Sequence, residues 1–142
     1  RRRNFVFSSG AGRMMKTQLS ITSEAIDEHF LITDRETSVS AGAVIAFQGI
    51  VRNMEDGVPI NAIDYESFNE MACHQFELIF EDIDRQWPIE SVRLVHRIGV
   101  VPVNEPSLWV EIITAHRAEA FAACQFLIDE MKVRVPIWKQ PQ

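Results

Sequence analysis

Three cationic side chains lie close together near the end of the sequence, in the stretch KVRVPIWK at residues 132–139. Lys132, Arg134 and Lys139 are separated by apolar residues. A solvated surface would mix charges of both signs, and a buried strand would not carry three cations. Because lysine and arginine are common ligands of phosphate and carboxylate groups, the stretch indicates an anion-binding pocket with a lysine placed for chemistry.

A helix end explains part of this cluster without any ligand. Cations stabilise the C-terminus of a helix, and Lys132 closes a helical pattern. Pro136 ends that pattern, so Lys132 and Arg134 are expected at a helix end that leads into an extended segment. This explanation does not account for Lys139. The local pattern alone therefore leaves the structural and the functional interpretation about equally open.

Two other positions suggest anion binding. His116 and Arg117 lie where a strand pattern gives way to a helical one, and the free N–H groups of a helix start attract phosphate or carboxylate. The alternative is that His116 caps the helix and Arg117 is solvated. Arg52 ends an apolar strand pattern close to Gly49, which would allow close approach of the backbone. The acidic turn that follows offers Arg52 ordinary ion-pair partners instead.

The histidines and cysteines do not suggest a metal site. His29, His74 and His96 form no pattern with Cys, Asp or Glu, and Cys73 and Cys124 fall in helical patterns without metal-ligand spacing. No phosphate-binding glycine loop or dinucleotide fingerprint is present. We therefore expect no metal, no disulfide framework and a reducing, cytoplasmic location.

Length and charge limit the class of protein. The chain has 142 residues, of which 46% are hydrophobic and 24% charged, which is typical of one soluble globular domain. The formal net charge is −6, and the first thirteen residues contain four arginines and no acidic residue. The residues after the first thirteen are therefore more acidic than the chain as a whole, and this acidity argues against nucleic-acid binding. No apolar run approaches the roughly 18 residues of a membrane-spanning helix.

The start of the sequence is set apart from the rest. Residues 1–15 are expected to be sequence added for expression or a disordered segment, because the first thirteen residues lack strand or helix periodicity and precede Met14 and Met15, two candidate native starts. An arginine-rich transit segment is the alternative. The folded domain is expected to cover residues 16–142.

Hydrophobic periodicity predicts an α+β arrangement with substantial antiparallel pairing. The predicted strands are 16–23, 41–52, 60–68, 91–99 and 108–115, with the strand at 60–68 beside that at 41–52 and loop chemistry at 101–107. The predicted helices begin at an N-cap Ser23, at an N-cap Asn69 and near Thr114. Pro88 and Pro136 end the second and third helices.

Five stretches taken together resemble the large, catalytic subunit of molybdopterin synthase, the MoaE family. They are FQGIVRN, DYESFNEMA, VHRIGVVPVNE, TAHRAEAFAACQFLIDEMK and KVRVPIWK. Any one of them would be a weak signal, but their combination in this order is specific. The resemblance runs from about residue 16 to Lys139. It implies a single domain with an α/β-hammerhead-like fold, that is, a largely antiparallel sheet with flanking helices.

The resemblance also implies an activity. Family members convert a cyclic pyranopterin monophosphate into molybdopterin by installing two sulfurs as a dithiolene, without a metal or nucleotide cofactor. The sulfur arrives as a thiocarboxylate on the C-terminal Gly-Gly of a small ubiquitin-like partner subunit. Two large subunits form a homodimer within a heterotetramer. The alternative is a non-catalytic anion-binding or scaffold subunit of the same architecture.

Residue roles follow from the same resemblance. Lys132 is the implied catalytic residue, for proton transfer or stabilisation of the intermediate, and Lys139 is a second catalytic lysine that holds the substrate. Arg134 is implied to give structural or electrostatic support. The implied substrate-binding residues are Ile50, Val51, Arg52, His116, Arg117, Lys132, Lys139, Gln140 and Pro141. Ile50 and Val51 are implied to line the pocket through their backbone, since position 50 can be basic in relatives and Ile50 lacks such a side chain. All the positive side chains are expected to line one shared cavity.

Overall fold

The structure, a computed structural model, describes residues 4–8 and 15–142. The strands of this part of the chain are β1 Asn4–Ser8, β2 Lys16–Thr22, β3 Ala43–Ile50, β4 Met54–Glu55, β5 Val58–Pro59, β6 Ala62–Ser67, β7 Ile89–Arg97, β8 Gly99–Pro102, β9 Pro106–Thr114 and β10 Ile137–Pro141. The helices are α1 Glu28–Thr33, α2 Asn69–Gln86 and α3 Arg117–Arg134.

Five strands form the larger sheet, in the order β1-β2-β7-β9-β3. Neighbouring strands are antiparallel except β2 and β7, which run parallel. Strand β9 lies between β7 and β3 and is buried from Ser107 to Thr114. Burial on both faces explains why its sequence is a nearly continuous apolar run, without the alternation of a half-exposed strand.

Helices α2 and α3 cover one face of this sheet and form the main core with it. The buried residues of α2 include Phe76, Ile79 and Ile83, which recur at steps of three and four, as one buried side of a helix requires. Helix α3 buries the small residues Ala120 and Ala123, which allow it to lie close to its neighbours. This packing fixes where α3 ends, and so the positions of Lys132 in its last turn and of Lys139 in the strand that follows.

The opposite face of the sheet carries a buried ionic cluster. Glu111 of β9 is 1% exposed. It accepts two hydrogen bonds from Arg93 of β7, at 2.7 and 2.8 Å, and a third from Arg35 at 2.6 Å. Arg93 also donates to the carbonyl of Leu31 at 2.7 Å and lies 5.1 Å from the ring centroid of Trp109. Helix α1 buries none of its own residues, so these polar contacts hold it against the sheet.

A smaller sheet, in the order β10-β6-β8, packs around a second apolar cluster of Val51, Ile63, Tyr65 and Val101. The chain passes from β7 of the larger sheet into β8 of the smaller one at Gly99, whose φ is +84°. A residue with a Cβ adopts this conformation only with strain. The corner at Gly99 therefore sets the small sheet beside the end of β7.

The predicted α+β class with mostly antiparallel strands and three helices is confirmed. Two helix starts differ from the prediction. Asp27, not Ser23, is the N-cap of α1, and its Oδ1 accepts a hydrogen bond from the N–H of Phe30 at 3.1 Å. Phe68 takes the N-cap position of α2, so Asn69 is the first helical residue and not the cap.

Strand pairing differs more from the prediction than strand position does. The strand predicted at 60–68 forms as β6, but it pairs with β10 and β8, and β3 pairs with β9. A short hairpin of β4 and β5 lies between β3 and β6 in the chain, and β3 and β6 belong to different sheets. The loop predicted at 101–107 also contains the end of β8 and the start of β9.

The segment predicted to lie outside the domain is only partly described. Strand β1 falls inside it and pairs antiparallel with β2, and Met15 is fully buried in the main core. The remainder of that prediction, residues 1–3 and 9–14, lies outside the described residues.

Candidate functional site

The end of α3, strand β10 and the ends of β3 and β7 surround a cavity of about 250 Å³, which we name the lysine pocket. Its lining residues are Phe47, Gly49, Ile50, Tyr65, His96, Ser107, Leu108, Ile128, Met131, Lys132, Val135, Ile137 and Lys139. No carboxylate is among them, and within residues 15–142 neither lysine forms an ion pair. Two uncompensated cations in one cavity favour the binding of an anion.

The two lysines meet because the chain turns sharply after α3. Lys132 lies in the last turn of the helix, and the C-cap Val135 is extended, with φ −93° and ψ 125°. Pro136 cannot continue a helix, and the following residues form β10, which pairs with β6. In this pairing Lys139 lies opposite Tyr65, on the same face of the small sheet. The predicted helix end and extended segment are therefore confirmed.

A β-bulge in β9, opposite the end of β3, forms another wall of the pocket. Gly49 pairs with Leu108 and Ile50 pairs with Pro106, which leaves Ser107 as the extra residue. The hydroxyl of Ser107 donates to the carbonyl of Gly49 at 3.4 Å. Bulges redirect side chains at the end of a strand, and here Ile50, with a half-exposed side chain, reaches the pocket.

Val51 is tied into the fold and not turned toward the pocket. It is 2% exposed and belongs to the second apolar cluster. Its N–H donates to the carbonyl of Glu105 at 3.0 Å, and its carbonyl accepts from the N–H of Asn104 at 2.8 Å. Both backbone groups therefore already have partners, and a substrate contact through them would have to compete with these bonds.

Arg52, Gln140 and Pro141 are not among the lining residues. Arg52 is exposed and directly follows Val51 at the end of β3. Gln140 and Pro141 are exposed at the end of β10. Since side chains alternate along a strand, Gln140 lies on the face opposite to that of Lys139. The substrate-binding roles of these three residues remain predictions.

Arg134 faces α2 and not the pocket. Its guanidinium donates to Asp82 at 2.8 Å and to Glu130 at 3.3 Å. The hydrogen bond with Asp82 is the main reason why the pKa of Arg134 lies above its ordinary value. These contacts join the end of α3 to α2 and so steady the helix end that carries Lys132.

Three polar residues of the pocket, Tyr65, His96 and Ser107, were missed by the sequence analysis. His96 of β7 is 5% exposed and Tyr65 of β6 is 7% exposed. Their rings meet edge to face, 5.3 Å between centroids. They come from different sheets, so no local spacing pairs them. The available signal was weak: His96 occupies the same strand face as the buried Leu94, where an apolar residue is usual.

His116 and Arg117 lie elsewhere on the molecule. Strand β9 pairs with β3 so that Ile50 lies opposite Pro106 at one end and Ala43 opposite Thr114 at the other. About eight residues of strand, roughly 25 Å, therefore separate His116 from the lysine pocket. The expectation of one shared cavity is thus wrong for a single chain, because β9 sets these cations at its far end.

The second group of cations has its own cavity, of about 310 Å³, lined by Gly42, Ala115, His116, Arg117 and Ala118. His116 is the N-cap of α3, and its side chain makes no capping hydrogen bond. Both His116 and Arg117 are exposed. The backbone of Gly42 lies against Ala115, whose carbonyl oxygen a Cβ at position 42 would meet at 2.1 Å. Only glycine fits at this position.

Neither a metal-binding cluster nor a membrane-spanning helix is found in the part of the chain that the structure describes. Within residues 15–142 no group of three or more His, Cys, Asp or Glu side chains is arranged to hold a metal ion. None of the described helices has the length and hydropathy to cross a membrane.

Comparisons of the sequence and of the structure with known proteins point to the same family. Residues 21–134 match the family model described as MoaE protein. The molybdopterin synthase catalytic subunit of Thermoplasma volcanium is 39% identical over 127 residues, which cover 89% of this chain and 92% of that protein. Molybdopterin synthase from Staphylococcus aureus has a TM-score of 0.77 at 30% identity, covering 86% of this chain and 88% of that chain.

A third relative has been solved as a complex. It contains subunits 1 and 2 of the molybdopterin-converting factor from Helicobacter pylori, and it matches with a TM-score of 0.73 at 23% identity over 87% of this chain and 83% of that chain. At 23% identity, the likeness to this complex is evidence of a shared fold. Taken with the family match over most of the sequence, these relatives establish that the chain belongs to the MoaE family of molybdopterin synthase catalytic subunits.

Proposed function

We propose that this chain is the catalytic subunit of a molybdopterin synthase. It transfers sulfur from the C-terminal thiocarboxylate of a small partner subunit to cyclic pyranopterin monophosphate, and so forms the dithiolene of molybdopterin. The observation that carries the proposal is the lysine pocket: in a MoaE-family chain, Lys132 and Lys139 line one cavity that has no carboxylate.

The charges of the reactants fit this pocket. The pterin carries a phosphate and the sulfur donor is a thiocarboxylate, so both approach as anions. The ammonium groups of Lys132 and Lys139 can hold them together. They can also stabilise the negative charge that develops as the sulfur adds to the pterin and as water then cleaves the acyl–sulfur bond to release the carboxylate of the small subunit. Lys132 is the proposed proton-transfer residue, and Lys139 holds the substrate. Ile128 and Met131 offer an apolar wall for a flat heterocycle.

The proposed sulfur donor is a small ubiquitin-like subunit whose C-terminal Gly-Gly tail enters the pocket. The Helicobacter pylori relative is a complex of two subunits, and we propose the same association for this chain. Trp138 lies in β10 and Phe68 lies beside the start of that strand. Their side chains are 52% and 66% exposed, and large exposed apolar side chains of this kind favour a protein partner.

A homodimer would complete the site. His116 and Arg117 cannot reach the lysine pocket of their own chain, so they can act on its substrate only from a second copy. Strand β3 is an edge of the larger sheet, and Val44 and Phe47 on it are exposed. An edge with exposed apolar side chains favours pairing between copies. Sedimentation that gives only monomer at micromolar concentration would contradict this assembly.

The free cysteines support the proposed cytoplasmic location. Cys73 and Cys124 are both buried and unpaired, and burial raises the pKa of both thiols. Buried thiols that persist without a disulfide are typical of a reducing compartment.

The first experiment is Lys132→Ala in a reaction with cyclic pyranopterin monophosphate and the thiocarboxylated small subunit. We expect dithiolene formation to be lost while the fold and binding of the small subunit remain. Lys16→Ala is the matched control, because Lys16 is an exposed lysine of β2 outside the lysine pocket, and it should keep wild-type activity.

Two outcomes would contradict the proposal. Turnover of Lys132→Ala at the wild-type rate would remove Lys132 from the chemistry. A wild-type protein that binds both the pterin and the small subunit but makes no product would be a scaffold subunit of the same architecture, the alternative function.

A further inference from the structure

The lysine pocket contains a histidine to which the proposed sulfur transfer assigns no role. His96 is 5% exposed, yet it is one of the lining residues. It comes from the end of β7, where the two sheets meet, and its ring packs against the ring of Tyr65. A buried polar side chain that contacts a binding cavity needs an explanation, because burial without a partner is costly.

The hydrogen bond of His96 fixes its tautomer. Nδ1 lies 2.9 Å from the carbonyl oxygen of Arg97. A carbonyl oxygen only accepts, so Nδ1 carries the proton and donates it. In the neutral ring Nε2 then holds a lone pair and is an acceptor. Among the described residues, the side-chain hydrogen bond of His96 is the one made by Nδ1, and none involves Nε2.

The surroundings of His96 keep the ring neutral. Burial lowers the pKa of His96 to about 4, the contact with the Arg97 carbonyl opposes this change, and the charge of Lys139 adds to it. At physiological pH the imidazole therefore carries no charge. It is a stable hydrogen-bond acceptor and a weak base.

Few other side chains of the lysine pocket can accept a hydrogen bond from a ligand. The ammonium groups of Lys132 and Lys139 only donate. The hydroxyl of Ser107 donates to the carbonyl of Gly49 at 3.4 Å, and Tyr65 is largely buried. No carboxylate lines the pocket. A ligand with N–H groups as well as an anionic group would find donors for its anion, and Nε2 of His96 for its N–H.

We propose that Nε2 of His96 accepts a hydrogen bond from an N–H group of the bound pterin and so orients the ring relative to the two lysines. This inference rests on the proposed function, since it takes the pterin as the substrate of the lysine pocket. His96 is a positioning residue in this scheme. The phosphate is held by the cations and the heterocycle by His96, which separates anion binding from ring orientation.

Two substitutions of different length test the role of Nε2. In His96→Asn the amide can still donate to Arg97 from near the Nδ1 position, but nothing reaches the Nε2 position. In His96→Gln the longer side chain brings its amide near the Nε2 position, where its oxygen can accept. Calorimetric titration with cyclic pyranopterin monophosphate, without a sulfur donor, measures binding in the absence of turnover.

We expect His96→Asn to weaken pterin binding about fivefold to tenfold, the effect of one lost neutral hydrogen bond, and His96→Gln to recover most of it. Inorganic phosphate is the control ligand, because it lacks a ring, and its affinity should be equal in the three proteins. Equal pterin affinity in all three proteins would overturn the role of His96. Failure of the wild type to bind the pterin at all would overturn the proposed function as well.

A spectroscopic measurement keeps the proposal testable if His96→Asn does not fold. In wild-type protein labelled with ¹⁵N-histidine, the Nε2 resonance should be that of an unprotonated nitrogen and should move toward lower frequency when the pterin is added. Inorganic phosphate should leave it in place. A resonance that stays unmoved with bound pterin would overturn the proposed hydrogen bond.

Discussion

Lys132 could act in the reaction by transferring a proton or by stabilising negative charge, and a substitution at this position can distinguish the two roles. Arginine keeps the positive charge of lysine but does not release a proton in proteins. We therefore expect Lys132→Arg to bind the pterin nearly as well as wild type and to lose at least about 100-fold in kcat, the usual loss when an acid–base group is removed. Single-turnover assays with the thiocarboxylated small subunit measure this.

The matched substitution is Lys139→Arg. Since Lys139 is proposed to act through its charge, this variant should keep most of its turnover. If Lys132→Arg is as active as Lys139→Arg, Lys132 acts through charge alone.

His96 should make stability depend on pH. Its pKa is about 4 in the folded chain and about 6.5 in the unfolded chain, so the unfolded state binds more protons between these values. Stability therefore rises with pH over this range, and is lost as pH falls from 6.5 to 4. The contribution of one such group approaches about 1.4 kcal/mol per pH unit.

Urea unfolding of wild type and His96→Gln at pH 6.5 and 4.5 isolates this contribution, because the carboxylates titrate in both proteins. The free energy of unfolding should fall more steeply in the wild type. Parallel pH dependences would show that His96 takes up a proton in the folded state as readily as in the unfolded state.

Single residues divide into those that the sequence could predict and those that it could not. Lys132 and Lys139 stood out because cations are rare in this acidic chain and lie close together in sequence. His96 did not, because a histidine inside a strand pattern gives no sign of what will pack against it. Its place in the pocket depends on β10, which follows about forty residues later.

At the scale of elements, the ionic cluster on the face of the larger sheet opposite α2 and α3 holds α1 in place. Glu111 is nearly enclosed and bonded to Arg93 and Arg35. Burial raises the pKa of Glu111, but the hydrogen bonds from these arginines outweigh it and leave the pKa below its ordinary value. We expect Glu111→Gln to destabilise the fold by about 3–5 kcal/mol, because it leaves the charge of Arg93 buried without a partner.

Thermal or urea unfolding measures this loss, and Glu66→Gln is the control. Glu66 is an exposed residue of β6 that forms no ion pair within residues 15–142. Equal stability of the two variants would mean that the buried charges contribute nothing to the folded state.

The elements themselves were largely predictable, and their partners were not. Helices α2 and α3 and strands β7 and β9 follow from periodicity over neighbouring residues, which a sequence displays directly. The partner of β6 depends on β10, more than sixty residues away, and no local pattern encodes that contact. The start of α1 was misplaced because Ser23 and Asp27 are both good N-caps, and the packing of α1 on the sheet selects Asp27.

At the scale of the whole molecule, the positive side chains of the predicted site are divided between two ends of β9. The lysine pocket lies at one end, and His116 and Arg117 lie at the other. The sequence identified both groups but could not show that one chain keeps them about 25 Å apart. The proposed symmetric dimer would resolve the separation, because a two-fold axis can bring each end against the opposite end of its partner.

Mixed dimers test this arrangement directly. Lys132→Ala and Arg117→Ala should each be inactive or strongly impaired as homodimers, because every site then lacks one group. In a dimer with one chain of each kind, one site receives both substitutions and the other receives neither. Mixed dimers isolated through two different affinity tags should therefore regain about half of the wild-type activity. Mixed dimers no more active than two impaired parents would show that Lys132 and Arg117 do not meet in a site shared between the chains. Wild-type activity of the Arg117→Ala homodimer would remove Arg117 from the site altogether.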